Sequence, residues 1–401
     1  PRTASEQMTA NQKRATQYVA DGEMSRAATA LTSLGMAELT DKVIEELQGL
    51  HPEQDEPEID EALERALAEA KPVRLRPKIV LKVLKSLGRN SGAGPSMFRP
   101  WFARQCARSA VGARIAHAWT HAGNALLAGS LPPELGKWVA AANLYALIKN
   151  EKRAVRPIAC GDVFRRVTGR AVMKQMAPTW RPTFEQPTAA EGNRVQLGIA
   201  INGTEKCLHA LRTIIDAKED DPKFCVCTID IRNAFNEYLR TTMLRSTARY
   251  LPSILPVTVF EYASKSALWL PNGMRLESQA GAQQGEPLAS LKYGAYDKYV
   301  LSLARDLNEL AHLFNIAFCD DRAIAGKTRD VADFFVASRA LFKEHGSDYK
   351  PEKCHVYRHA QTRTRKLCTQ VMFGASVEVH DGFDLEFLGG FIGSEAQQLN
   401  R

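Results

Sequence analysis

The 401-residue chain lacks any apolar run near the roughly 18 residues that a membrane-spanning helix requires; its longest candidate, from Val139 to Ile148, is too short. No membrane partner is therefore expected. It also has no G-x-x-x-x-G-K-S/T segment. The glycine-rich stretch at 91–96 carries no lysine, so any handling of nucleotides is not of the P-loop kind. No basic, apolar leader accompanies the first residue, Pro1, and nothing there reads as a secretory signal. The eight cysteines are scattered along the chain. Cys225, Cys227 and Cys319 sit in apolar runs, which suits small buried hydrophobes better than disulfides and points to a reducing, intracellular compartment. Cys354, His355, His359 and Cys368 match none of the common zinc-binding spacings.

What is present is an ordinary globular composition, with 45% hydrophobic and 24% charged residues, enough for a sizeable core or for two to three domains. The net charge of +8 is unevenly placed: Glu53, Asp55, Glu56, Glu58, Asp60 and Glu61 form an acidic run, while 71–104 and 149–181 are rich in lysine and arginine. A basic body favours a polyanionic partner, because each phosphate neutralised adds salt-sensitive affinity.

The organising stretch is LFNIAFCDDRAIAG at 313–326. Two apolar strands joined by an acidic turn would hold Asp320 and Asp321 at a hairpin tip. Two carboxylates that near repel, and a divalent cation relieves the repulsion; turn chemistry alone is the competing explanation. A second run, FCVCTI at 224–229, ends at Asp230. This reads as a strand presenting a carboxylate at its end or, equally, as a strand followed by a helix that Asp230 caps. At 142–158, two strands and a charged turn make a basic hairpin carrying Lys149 and Arg156, which would hold a triphosphate or serve as solvated surface charge. Asp162 reads as the cap of the helix that follows. At 281–290, Gly285 permits close approach of another backbone and Pro287 suits a first helical turn. Residues 1–50 read as helices broken near Asp21-Gly22, 51–60 as an acidic linker and 61–70 as another helix, together a helical extension that packs on or docks to the main body; 331–345 reads as a helix and 385–393 as a last hairpin. The pattern as a whole is α+β.

In this order the pieces resemble the palm of reverse transcriptases, most closely those of non-LTR retrotransposons. TIDIRNAFN resembles the family's motif A, GAQQGEPLAS its motif B with Gln284, Gly285 and Pro287, and FCDD its motif C, with Cys319 where alanine or methionine is usual. YKPEKCHVY is similar to motif D with Lys353, and EFLGGFIG to the primer-grip hairpin. LIKNEKRAVRPI and NSGAGPSMFRPWF resemble fingers segments. The resemblance covers about residues 78–393.

It implies a right-hand polymerase architecture: an N-terminal helical extension with its acidic linker at 1–71, fingers at 72–222, and at 223–401 a palm whose antiparallel sheet packs on helices, with no thumb following. It implies an RNA-directed DNA polymerase that uses two Mg²⁺ ions, Mn²⁺ being a substitute, held by Asp230, Asp320, Asp321 and the backbone carbonyl of Ile231. Lys149 and Arg156 would meet the triphosphate, Gln284 and Gly285 would line the nucleotide pocket, and Lys353 would protonate departing pyrophosphate. Phe235, five residues after Asp230, would leave no room for a 2′-hydroxyl and so select deoxynucleotides. The implied partners are an RNA template, a DNA primer, dNTPs, and the thumb and endonuclease domains of a longer polyprotein, and the implied compartment is the nucleus. The alternative from another class is a non-catalytic nucleic-acid-binding module on a truncated or domesticated scaffold of the same kind.

Overall fold

The computed structural model describes residues 4–20, 24–89, 91–149, 153–187, 194–304, 306–362 and 366–393. The expected break at Asp21-Gly22 lies outside them. The fold is α+β, with twelve strands in three sheets among the described residues. β1 (Ala142–Ile148), β2 (Val155–Gly161), β5 (Ser266–Trp269) and β6 (Arg275–Ser278) form a four-stranded sheet in the order β2-β1-β5-β6. β3 (Arg194–Gln196), β4 (Phe224–Ile229), β7 (Phe314–Phe318), β8 (Asp321–Lys327), β9 (His355–Arg358) and β10 (Glu378–Asp381) form a six-stranded one in the order β10-β9-β4-β8-β7-β3. β11 (Leu385–Phe387) and β12 (Gly390–Ile392) make the expected last hairpin.

β4 is central in the larger sheet and buried along its whole length, which explains its unbroken apolar sequence. Alternate residues serve two cores. Cys225, Cys227 and Ile229 pack with Tyr293 and Tyr296 of the helix Ala289–Ser302 and with Phe334, Phe335 and Phe342 of the helix Thr328–Glu344. Phe224 and Val226 face the helix Gly203–Asp216 and the β11–β12 hairpin. Each buried phenylalanine there contributes about 1.5–3 kcal/mol relative to exposure. A third core joins the helices Pro77–Lys85, Gly112–Leu127 and Val163–Glu185, and a fourth lies beneath the smaller sheet.

The structure departs from the sequence expectations in two places, the direction of strands in the larger sheet and the start of the helix after Pro287. The larger sheet is mixed rather than antiparallel: β9-β4-β8-β7 alternate in direction, but β3 lies parallel to β7 and β10 parallel to β9. The helix Lys366–Phe373 lies between β9 and β10 in the chain, the kind of crossover that parallel neighbours require. β5 and β6 return to the smaller sheet beside β1. The N-terminal extension docks on the main body as expected, and its acidic stretch takes part: Gln54 donates to the Glu237 carbonyl at 2.7 Å, Asn233 donates to that of Leu50 at 2.8 Å, and Asp60 pairs with Arg245 at 2.7 Å. The preceding helix Asp41–Gly49 packs on the smaller sheet, where Glu46 accepts from the Val155 N–H at 3.0 Å. Finally, Pro287 precedes its helix, which begins at Ala289; the Glu286 carboxylate takes the Leu288 N–H at 3.1 Å. No helix among the described residues is long and apolar enough to cross a membrane.

Candidate metal and nucleotide site

β7 and β8 pair antiparallel with Phe318 opposite Asp321, so Cys319 and Asp320 form a two-residue turn. Cys319 has φ +55° and Asp320 has no positive φ, the pattern of a II′ hairpin turn, whose first position favours glycine. A cysteine there is strained, and the surroundings hold it. Gln196 clamps its peptide from both sides: the amide oxygen accepts from the Cys319 N–H at 2.8 Å, and the amide nitrogen donates to the Cys319 carbonyl at 3.0 Å. The same nitrogen donates to Asp297 at 3.2 Å, and Asp297 is paired with the buried Arg322. Strain held by several independent contacts is a mark of functional turns.

Asp230 follows β4 on the neighbouring strand. It caps no helix: the next one begins at Ala234, with left-handed Asn233 before it. Its carbonyl instead accepts from the Lys350 N–H at 2.8 Å, and Arg232 donates to the Asp348 carbonyl at 2.9 Å. Ile231 forms the bridge with Tyr349 between these bonds, its side chain in the core. The bridge ties the end of β4 to the turn Pro351–Lys353, which places Lys353 beside it.

The three carboxylates are electrostatically one group. Asp320 is half-buried. Burial, then the neighbouring charges of Asp321 and Asp230, push its carboxyl up to about 6, with Lys149 opposing. Asp321 is raised too, by burial and then by Asp230, against Lys149 and Arg156. The cations gather on the other side. Leu147 lies opposite Arg156 in the β1–β2 register, and Lys149 is two residues beyond Leu147, so strand periodicity puts both cations on one face of the hairpin. Lys149 is held below the ordinary lysine range by burial and then by repulsion from Lys353 and Arg156, while Asp230 and Asp320 pull the other way. Asp230, Asp320, Asp321, Lys149, Arg156 and Lys353 thus converge from both sheets. Crowded carboxylates, with a buried one holding its proton too tightly, are a donor set suited to a hard divalent cation.

Phe235 packs against the core below β4, its ring 5.4 Å from that of Tyr293. Its carbonyl accepts from the Ala282 N–H at 2.8 Å. Gly281, at φ +51°, passes so close that a Cβ would lie 2.1 Å from that carbonyl oxygen. Gln284 continues the same loop and accepts through its carbonyl from the Ala159 N–H of β2 at 2.8 Å. Gly285 has φ +121°, and a Cβ there would meet the Ala159 carbonyl at 2.4 Å. The loop 281–285 therefore joins Phe235 to the strand that bears Arg156.

Sequence reasoning missed Gln196, a polar residue in a three-residue strand with no local signal. It also missed Glu286, whose carboxylate belongs to a buried network with Lys292, Tyr262, Glu261 and Arg165. A cavity of about 670 Å³ between the segments 67–72, 128–137 and 256–264 involves none of the carboxylate cluster. No protein-family model matches the chain, and no curated protein matches it.

Proposed function

We infer that the chain is the catalytic part of an RNA-directed DNA polymerase of the reverse transcriptase kind, in which fingers and palm of a right-hand polymerase carry nucleotidyl transfer from dNTPs to a primer 3′-hydroxyl. The observation that carries this reading is the convergence of Asp230, Asp320 and Asp321 opposite Lys149, Arg156 and Lys353, drawn from four separate segments that resemble motifs A, C and D and the fingers.

Asp230, Asp320 and Asp321 would hold the divalent ions, with the Ile231 carbonyl as a further oxygen donor. Two bound Mg²⁺ ions, or Mn²⁺ in their place, would supply acidification of the primer hydroxyl and neutralisation of the phosphates. The chain's own groups do the remainder. Lys149 and Arg156 meet charge developing on the transferring phosphates. Gln284 and Gly285 line the nucleotide pocket through a backbone fixed to β2. Phe235 stands where a 2′-hydroxyl would lie and excludes it. Lys353 donates a proton to the departing pyrophosphate. RNA template and DNA primer are the partners, and the net charge of +8 favours both.

Primer extension on a polyriboadenylate template, with dTTP or UTP and with Mg²⁺ or Mn²⁺, tests the reading beside an Asp320→Asn control. Extension with dTTP, absent in the control, is the expected result. RNA binding without metal-dependent extension would transfer the assignment to a non-catalytic binding module.

A further inference from the structure

We propose that His355, Glu378 and His380 form a second metal site, suited to Zn²⁺ and distinct from the carboxylate cluster. β9 and β10 run parallel with Glu378 opposite His355, and His380 lies two residues along β10 from Glu378. A period of two puts all three side chains on one face of the sheet. Their ligating atoms lie within 4.8 Å of one another. His355 Nδ1 is 3.2 Å from His380 Nε2 and 3.6 Å from one Glu378 oxygen, while His380 Nε2 is 3.9 Å from the other.

Those separations are close to what zinc requires. Bonds of about 2.0–2.2 Å at tetrahedral angles place neighbouring donor atoms roughly 3.3–3.6 Å apart. A small rotation of the exposed Glu378 carboxylate brings the longest separation into range. Two imidazole nitrogens and one carboxylate oxygen suit zinc, whereas Mg²⁺ prefers a shell of oxygens. The donors are also held from outside. The Tyr357 ring stacks on His380 at 4.8 Å and 16°, and the Arg358–Asp381 pair, 2.8 Å, fixes the next rung of the two strands. The two imidazoles are about one-third exposed and Glu378 about two-thirds, so an ion can enter and its fourth position faces solvent. The ion would fasten β10, which among the described residues pairs only with β9, to the strand next to β4.

The test does not depend on polymerase activity. The purified full chain is stripped with a chelator, then titrated with Co²⁺ and with Zn²⁺ against a chromogenic chelator, in excess Mg²⁺. One Zn²⁺ should bind per chain and displace Co²⁺ whose visible absorption is that of a four- or five-coordinate ion. His355→Gln with His380→Gln should weaken zinc by more than about 100-fold, beyond the cost of losing an outer-shell partner. Asp320→Asn should leave the affinity unchanged. Circular dichroism and metal-free melting establish that the variants fold, and the exposed Glu378→Gln provides a second probe with little risk to folding. Absence of stoichiometric zinc in the wild type would overturn the proposal. So would equal affinity in the folded double variant, or zinc binding that is lost on Asp320→Asn.

Discussion

Two acidic centres lie in this fold, and the protein treats them in opposite ways. Glu261 and Glu286 are surrounded by partners: Arg165 lies 3.0 Å from Glu261, and Lys292 lies 3.1 Å from Glu286 and 3.7 Å from Glu261. Burial works against the Glu261 carboxylate, but Arg165 and Lys292 outweigh it and hold the group below its ordinary range. Asp320 is raised to about 6, because the carboxylates nearest to it add to burial and the facing cations offset only part of it. The first arrangement completes its own charge balance and belongs to folding. The second is incomplete without something positive, and an incomplete charge balance is what binding sites retain.

The largest effect is expected from breaking the balanced centre. Arg165→Met strands the Glu261 carboxylate, and loss of one partner from a buried ion pair costs about 3–5 kcal/mol. Urea titration should show that loss, whereas Asp320→Asn should leave stability unchanged or raise it. A stability cost from Asp320→Asn equal to that from Arg165→Met would erase the distinction drawn here.

Activity should respond in the reverse order. Asp320→Asn should lower dNTP incorporation by at least about 10²-fold, the scale on which a group that stabilises transition-state charge acts. The pH dependences also differ in sign. Asp320 keeps its proton in the folded state up to about 6, above the ordinary aspartate value, so its ionisation disfavours the fold. Its contribution to metal-free stability therefore falls as pH rises from the ordinary aspartate range to about 6 and is level above that. Glu261, with a lowered value, contributes stability that is lost as pH falls through its range. The wild-type minus Asp320→Asn difference in melting temperature should trace the first effect alone. Mg²⁺ affinity should rise through pH 6.

A smaller change should follow at Phe235. Phe235→Val shortens the side chain that, on the proposed reading, excludes a 2′-hydroxyl, and should reduce the preference for dTTP over UTP by roughly 10²-fold, the scale of a modest change in pocket volume. Competition between the two nucleotides on one template measures it. Unchanged preference would place the discrimination elsewhere.

Much of this contrast was legible in the sequence, and what was not has a common cause. The hairpin at Asp320-Asp321, the buried β4 run ending at Asp230 and the Asp162 cap announce themselves in patterns a few residues long. Arg165 meets Glu261 and Gln283, and Gln196 meets Cys319, only because the chain has folded, and no local period marks such pairs. The short parallel strands β3 and β10 escaped for the same reason. His355 was visible to spacing rules but grouped with Cys354, His359 and Cys368; its structural neighbours are Glu378 and His380, brought in by β10.

Gln196 is the point at which the two kinds of centre touch. One amide links the strained Cys319 peptide to Asp297, whose charge Arg322 balances, so a fully satisfied network supports the turn that carries Asp320. Gln196→Leu keeps the volume but leaves the Cys319 N–H and carbonyl without their partner. An unsatisfied buried group costs about 1–3 kcal/mol, and relaxation of the turn offsets part of that. If Gln196 only stabilises the fold, melting temperature falls and the kinetics of the folded fraction are those of the wild type. A positioning role predicts something further: at a temperature where both proteins are folded, extension needs more Mg²⁺ for half-maximal rate, because Asp320 is no longer held toward Asp230. The Mg²⁺ dependence of the rate, measured beside the melting curve, separates the two.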